Sequence, residues 1–198
     1  GSRLPSERGQ LLATLRGVEA FEAFGANVIA GADLNRDGFP DIAIASPGHS
    51  GGQGRVTLVG GGRYEVFDSI DGSGGNFGQA MAFIPSIDGD ETPELVIGAP
   101  DADVLDRTGA GRVVIYSGAS RQVLQVLDGQ WAGDRFGASV AGIAPVCDGA
   151  GCRTLDGDAV ADLVVGATGA EERVLGFSGA DFSHIWTARR QDGQRTDF

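Results

Sequence analysis

Residues 77–100 read Phe77-Gly78-Gln79-Ala80-Met81-Ala82-Phe83-Ile84-Pro85-Ser86-Ile87-Asp88-Gly89-Asp90-Glu91-Thr92-Pro93-Glu94-Leu95-Val96-Ile97-Gly98-Ala99-Pro100. The stretch opens on Phe-Gly, passes through a run of acids and turn residues, and closes on an apolar segment that ends in Gly-Ala-Pro. The same order occurs twice more. Phe24-Gly25 precedes Asp41-Ile42-Ala43-Ile44-Ala45-Ser46-Pro47, and Phe136-Gly137 precedes Asp162-Leu163-Val164-Val165-Gly166-Ala167-Thr168. The Phe-to-Phe spacings are 53 and 59, and Phe198 follows Phe136 by 62. Self-similarity at such a period marks a supersecondary unit that buries its faces by stacking on its neighbours.

Working outward, each apolar segment is followed by a second one: Arg55–Leu58, Arg112–Ile115 and Arg173–Gly176. A third begins at Glu65-Val66-Phe67, Val123–Leu127 and Phe182–Trp186. All are short, rich in β-branched or aromatic residues, and bounded by Gly, Asp or Pro, which are strand signals. The continuous apolar runs read as strands buried on both faces. No stretch sustains a helical period. Four short strands per unit is the sequence form of a propeller blade. The expected fold is all-β: a β-propeller segment of three four-stranded antiparallel blades, open or incomplete, because closure usually takes about four to eight blades.

The expected organisation is as follows. Residues 1–17 hold a cloning remnant (Gly1-Ser2) and an orphan outer strand, since Gln10–Leu15 aligns with Gln122–Leu127. Residues 18–72, 73–129 and 130–198 are the three blades. Phe198 should begin the next inner strand. In the third blade, 18 residues separate Phe136 from Thr154, against 9 from Phe24 to Asp33. The excess is an insertion around Val146–Arg153 that carries Cys147 and Cys152. It reads as a surface loop clipped by its own disulfide, with two free thiols as the alternative; the segment has too few ligands for zinc.

The 198 residues carry a formal net charge of −12, which disfavours nucleic-acid binding. The 34 glycines suit a fold of many tight turns. No apolar run reaches the roughly 18 residues of a membrane helix. Much of the acidity serves solubility, yet part of it is regularly placed.

Asp33-Leu34-Asn35-Arg36-Asp37-Gly38-Phe39-Pro40-Asp41 puts side-chain oxygens at positions 1, 3, 5 and 9 and a backbone carbonyl, that of Phe39, at position 7. Calcium takes about six to eight oxygens, and alternate residues of a tight loop can converge on one centre. Gly38 allows the sharp turn. Ser86, Asp88, Asp90, Thr92 and Glu94 hold the same positions in the second loop, and Thr154, Asp156, Asp158, Val160 and Asp162 in the third. An EF-hand or dockerin loop would need an acid at position 12 and a helix; position 12 here is Ile44, inside a strand-like run. A metal-free Asx-rich turn is the remaining alternative.

Phe-Gly at the start, Gly98-Ala99-Pro100 after the second strand, and the acidic loop between them resemble the FG-GAP repeats of the integrin α-chain head. The likeness spans residues 10–198. Ala45-Ser46-Pro47 and Gly166-Ala167-Thr168 replace Gly-Ala-Pro in the outer two copies. The resemblance implies Ca2+ in the loop between the first two strands of each blade, an extracellular or cell-surface location, and a non-catalytic role in adhesion or protein recognition. The partners would be a protein ligand or further blades, with weak self-association through open blade faces. The alternatives are an accessory module of a secreted hydrolase and a carbohydrate-binding propeller.

Gly48-His49-Ser50-Gly51-Gly52 mimics a nucleophile elbow, but that motif needs a strand, a strained turn and a helix. Here a strand follows, so Ser50 reads as part of a Gly-rich inter-strand loop and the chain as no enzyme. His49 and His184 stand isolated and read as no ligands. Trp131 and Trp186 read as packing residues.

Overall fold

The computed structural model describes residues 11–148, 151–169 and 171–190. Three four-stranded antiparallel sheets account for nearly all its regular structure. The first is built from β1 (Asn27–Ala30), β2 (Ile42–Ser46), β3 (Arg55–Val59) and β4 (Val66–Asp71) in that order. Between β2 and β3 lies α1 (His49–Gly52). The second sheet holds β5 (Ala80–Ile84), β6 (Glu94–Ala99), β7 (Arg112–Tyr116) and β8 (Val123–Asp128). In the third, β9 (Phe136–Ile143) pairs with β12 (Asp162–Ala167), which is followed by β13 (Arg173–Phe177) and β14 (His184–Arg189). β10 (Val146–Asp148) and β11 (Gly151–Arg153) form a separate hairpin. These are three β-propeller blades, in the order the repeat demands.

Period-2 alternation decides where the core lies. β6 is buried along its whole length. Its Leu95, Ile97 and Ala99 pack with Ala43, Ala45, Val56 and Leu58 of the first blade. Its Val96 faces the other way and packs with Leu163, Val165 and Leu175 of the third. The central blade therefore loses both faces to its neighbours, and each buried Val, Leu or Ile contributes about 1.5–3 kcal/mol.

The two name motifs meet at the seams between blades. Gly78, at φ 93°, lies against Ala45 of the preceding blade. A Cβ on Gly98 would collide with the carbonyl oxygen of Gly137 in the following one. The first residue of Gly-Ala-Pro must thus be small because the Phe-Gly of the next blade crosses it. Phe77 and Phe136 are buried beside these glycines.

Cross-strand ion pairs join the third and fourth strands of the first two blades. Arg55 faces Asp71 and Arg112 faces Asp128, with Nε–Oδ1 distances of 2.5 and 2.6 Å. In the third blade the partner position is Arg189. Arg173 turns inward instead and meets Asp134 at 2.6 Å, both side chains being buried. The Trp131 ring covers this guanidinium at 4.0 Å. Arg121 runs back from the second blade to Asp68 of the first at 3.2 Å and lies over the Phe67 ring.

The insertion is an exposed hairpin in which Cys147 pairs with Cys152 both in strand register and as a disulfide. One expectation is corrected. Residues 11–17 form no strand: Leu11 and Leu12 are exposed, and among the described residues no sheet edge pairs with them. A strand without a partner leaves its backbone groups unbonded, so the side-chain likeness to Gln122–Leu127 was not enough. Leu15 does line a shallow hollow on the first blade, beside Phe24, Thr57 and Val66. The His49–Gly52 connection between β2 and β3 is a tight turn whose Ser50 and Gly51 are left-handed, at φ 51° and 69°, and a strand, not a helix, follows it. Gln10 and Phe198 lie outside the described residues.

Candidate metal centre

The three acidic loops join the first and second strands of their blades and lie at one end of the segment. Each uses the same internal hydrogen bonds. The position-3 side chain accepts the position-5 amide: Asp37 N to Asn35 Oδ1 at 2.9 Å, Asp90 N to Asp88 Oδ1 at 3.1 Å, and Asp158 N to Asp156 Oδ1 at 3.0 Å. The position-5 carboxylate accepts the position-7 amide, from Phe39, Thr92 and Val160, at 2.9, 2.8 and 2.8 Å. These Asx turns curl the backbone so that alternate side chains turn to one side.

Position 9 is different in kind. Asp41, Glu94 and Asp162 are fully buried. Each carboxylate accepts the position-2 amide of its own loop: from Leu34 at 2.8 Å, Ile87 at 2.7 Å and Leu155 at 2.7 Å. Its other oxygen accepts an amide from the turn between the third and fourth strands, from Gly61, Gly118 and Gly179, at 3.1 Å each time. One buried carboxylate per blade therefore clasps loop to turn. A Cβ on any of these glycines would strike a carbonyl oxygen of Pro40, Pro93 or Ala161 respectively.

The sequence-chosen residues do not all converge equally. In the second loop, carboxylate oxygens of Asp88, Asp90 and Glu94 lie within 4.8 Å of one another, as do those of Asp156, Asp158 and Asp162 in the third. Ser86 and Thr154, at position 1, donate to Asp88 and Asp156 at 3.4 and 3.1 Å. The acids of the first loop form no such trio among the described residues. Asp33 accepts the Asp37 and Gly38 amides at 3.1 and 2.9 Å, and at position 3 Asn35 supplies an amide oxygen where the other loops have an acid. Burial pushes the Glu94 carboxyl up, against the amides of Ile87 and Gly118 and with the charge of Asp88. Oxygen-only donor sets of this charge fit a hard dication. The Phe39, Thr92 and Val160 carbonyls would complete them from the backbone.

Sequence reasoning missed the cations that bind the loops to each other. Arg36, at position 4 of the first loop, donates to the Asp90 carbonyl at 2.5 Å and to Thr92 Oγ1 at 2.9 and 2.7 Å. Its Nη2 is 3.8 Å from Asp90 Oδ1. Among the described residues no arginine lies in ion-pair range of Asp156, Asp158 or Asp162.

At the opposite end, His49 is buried and its Nδ1 lies 3.0 Å from Glu22 Oε2. The Ser50 amide donates to Glu19 Oε2 at 2.8 Å. No helix of the described residues is long and apolar enough to cross a membrane.

Residues 24–59 match the family model "FG-GAP repeat". Human integrin alpha-7 is 31% identical over 185 residues, covering 86% of this chain and 14% of that protein. Mouse integrin alpha-IIb is 34% identical over 110 residues, covering 52% and 10%. The chain thus spans only about a tenth to a seventh of these curated relatives. Among solved structures, a Bacillus licheniformis rhamnogalacturonan lyase aligns at TM-score 0.47 and 14% identity, over 84% of this chain and 35% of that one. The chain carries an FG-GAP repeat at residues 24–59 and, over most of its length, resembles the integrin α-chains.

Proposed function

We propose that this segment is a calcium-stabilised, non-catalytic scaffold for adhesion or protein recognition, working outside the cell or at its surface. The observation that carries the reading is the threefold acidic loop, with two trios of carboxylates drawn together at its second and third copies. The likeness to integrin α-chains supports the recognition role and the location. The Cys147–Cys152 disulfide supports an oxidising compartment.

In this reading Asp33, Asn35, Asp37, Asp41 and the Phe39 carbonyl hold one ion. Ser86, Asp88, Asp90, Glu94 and the Thr92 carbonyl hold a second, and Thr154, Asp156, Asp158, Asp162 and the Val160 carbonyl a third. Bound calcium would neutralise each cluster and lock the loop against the turn that the buried acid already clasps. Protein ligands or further blades are the partners, with weak self-association through the open faces of the first and third blades. Trp131, committed to Arg173, favours protein over sugar as ligand.

Thermal melts in EDTA and in millimolar calcium test the metal. Binding to the native state alone adds about 2.7 kcal/mol at a hundredfold excess over Kd. Identical melts after verified metal removal would end the calcium reading. Sedimentation over a concentration range tests self-association, and a strict monomer at the highest concentration would remove it. Ser50→Ala should change neither calcium binding nor any esterase signal.

A further inference from the structure

A second kind of site lies at the end of the first blade opposite the acidic loops. Glu19, Glu22 and His49 each present a ligand atom, and the three atoms lie within 4.8 Å of one another. His49 Nδ1 is 3.0 Å from Glu22 Oε2 and 3.5 Å from Glu19 Oε2. A tetrahedral ion with bonds of 2.0–2.1 Å has ligand-to-ligand edges of about 3.3 Å. The two edges from His49 bracket that value.

The ligands are held in place from behind. Glu22 Oε1 accepts the amides of Val18 and Glu19 at 2.5 and 3.3 Å, which aims Oε2 at the imidazole. Glu19 Oε2 accepts the Ser50 amide at 2.8 Å. The main chains are joined too, through Gly48 N to Glu22 O at 3.0 Å. His49 and Glu22 are buried, whereas Glu19 is half-exposed and forms the entry side. Carboxylate and imidazole ligands supported by such outer hydrogen bonds are how proteins orient a metal's donors.

The third blade shows what this place requires. Asp134 stands two residues before its Phe-Gly, as Glu22 does in the first blade, and is likewise buried. There the charge is met by a permanent cation, Arg173, whose Nη2 bonds both carboxylate oxygens at 2.7 and 2.6 Å. In the first blade the equivalent arginine, Arg55, is committed to Asp71 across the strands at 2.5 Å. Glu22 is left with an imidazole and a second carboxylate as its side-chain partners, the Arg55 charge reaching both glutamates only through space.

We propose that Glu19, Glu22 and His49 bind a divalent transition-metal ion of the zinc type, with a fourth position open to water or a partner's side chain. The imidazole selects against calcium, which takes oxygen ligands, and favours zinc, copper or nickel. The site is independent of the acidic loops and lies at the other end of the blade.

The test uses the full chain saturated with millimolar calcium, so that the acidic loops are filled. Zn2+ is titrated by calorimetry and Co2+ by its d–d absorption. One equivalent of Zn2+ should bind, and Co2+ should give a tetrahedral spectrum. Glu19→Gln, at a half-exposed position, should keep the melting curve and weaken Zn2+ by about tenfold or more, by analogy with the 10–100-fold losses seen on perturbing ligand environments. His49→Gln should abolish binding, and His184→Asn should leave it intact. Absence of Zn2+ binding in the calcium-loaded protein would overturn the proposal. So would a Zn2+ affinity unchanged by Glu19→Gln, or one lost with His184→Asn.

Discussion

Asp162→Ala separates the structural from the metal-binding role of the acidic loops. The Asp162 carboxylate is the acceptor for Leu155 N at 2.7 Å and Gly179 N at 3.1 Å, and it is fully buried. Truncation strands both amides, and a buried donor left unsatisfied costs about 1–3 kcal/mol. Relief of repulsion with Asp156 and Asp158 offsets part of that sum. A net loss of about 3 kcal/mol should lower the melting temperature by roughly 6–12 °C for a protein of this size. Asp156→Ala is the paired control, because Asp156 is exposed. It should leave the EDTA melt near that of the parent while removing the same share of the calcium-induced gain. Melts of the parent and both variants, in EDTA and in calcium, give six curves. If Asp162→Ala and Asp156→Ala coincide in EDTA, the buried clasp is not what joins loop to turn, and the reasoning fails.

Other outcomes follow from the same contacts. Asp37→Ala should leave one fewer or one weaker calcium site by calorimetry, because it removes a central oxygen while Gly38 still makes the turn; unchanged stoichiometry and affinity would move the site elsewhere. Arg173→Ala should destabilise by about 3–5 kcal/mol, since it leaves Asp134 buried and unpaired. It should also shift Trp131 fluorescence, and Arg173→Met with Asp134→Leu should recover most of the loss. The Arg55 guanidinium holds the Asp71 carboxyl below its usual range. Its contribution is therefore present above the unfolded carboxyl value of about 3.9 and is lost as pH falls through the lower folded value. Because the pair is largely exposed, Asp71→Asn should cost no more than about 1 kcal/mol at neutral pH and nothing in strong acid. A penalty that grew on acidification would contradict that sign.

The repeat made most of the fold legible. Three copies of strand, acidic loop and apolar strand stated the blade count, and β6 announced its double burial by an unbroken apolar run. The loops were legible because their geometry is local: position 3 bonds position 5, and position 5 bonds position 7. Contacts between distant positions were not. Arg36 meets Thr92 across 56 residues, and His49 meets Glu22 across 27, so neither pairing leaves a mark in a short window. One signal was available and passed over: Arg189 stands where Asp71 and Asp128 stand in the other blades, which meant that Arg173 had to find its counter-charge elsewhere. The stretch at Leu11–Leu15 misled because side-chain likeness says nothing about whether a neighbouring edge exists to accept the backbone.

The seam at which Gly98 lies under the Gly137 carbonyl carries a lesson about inheritance. Half of that joint is encoded in one repeat and half in the next, as it is where Ala45 meets Gly78. A duplicated blade can be inserted only if its leading half fits the blade before it and its trailing half fits the blade after. Substitutions at the first residue of the Gly-Ala-Pro segment should therefore be compensated in a different repeat from the one that suffers them. What such a chain copies faithfully is the joint between blades, and the blade itself is free to diverge around it.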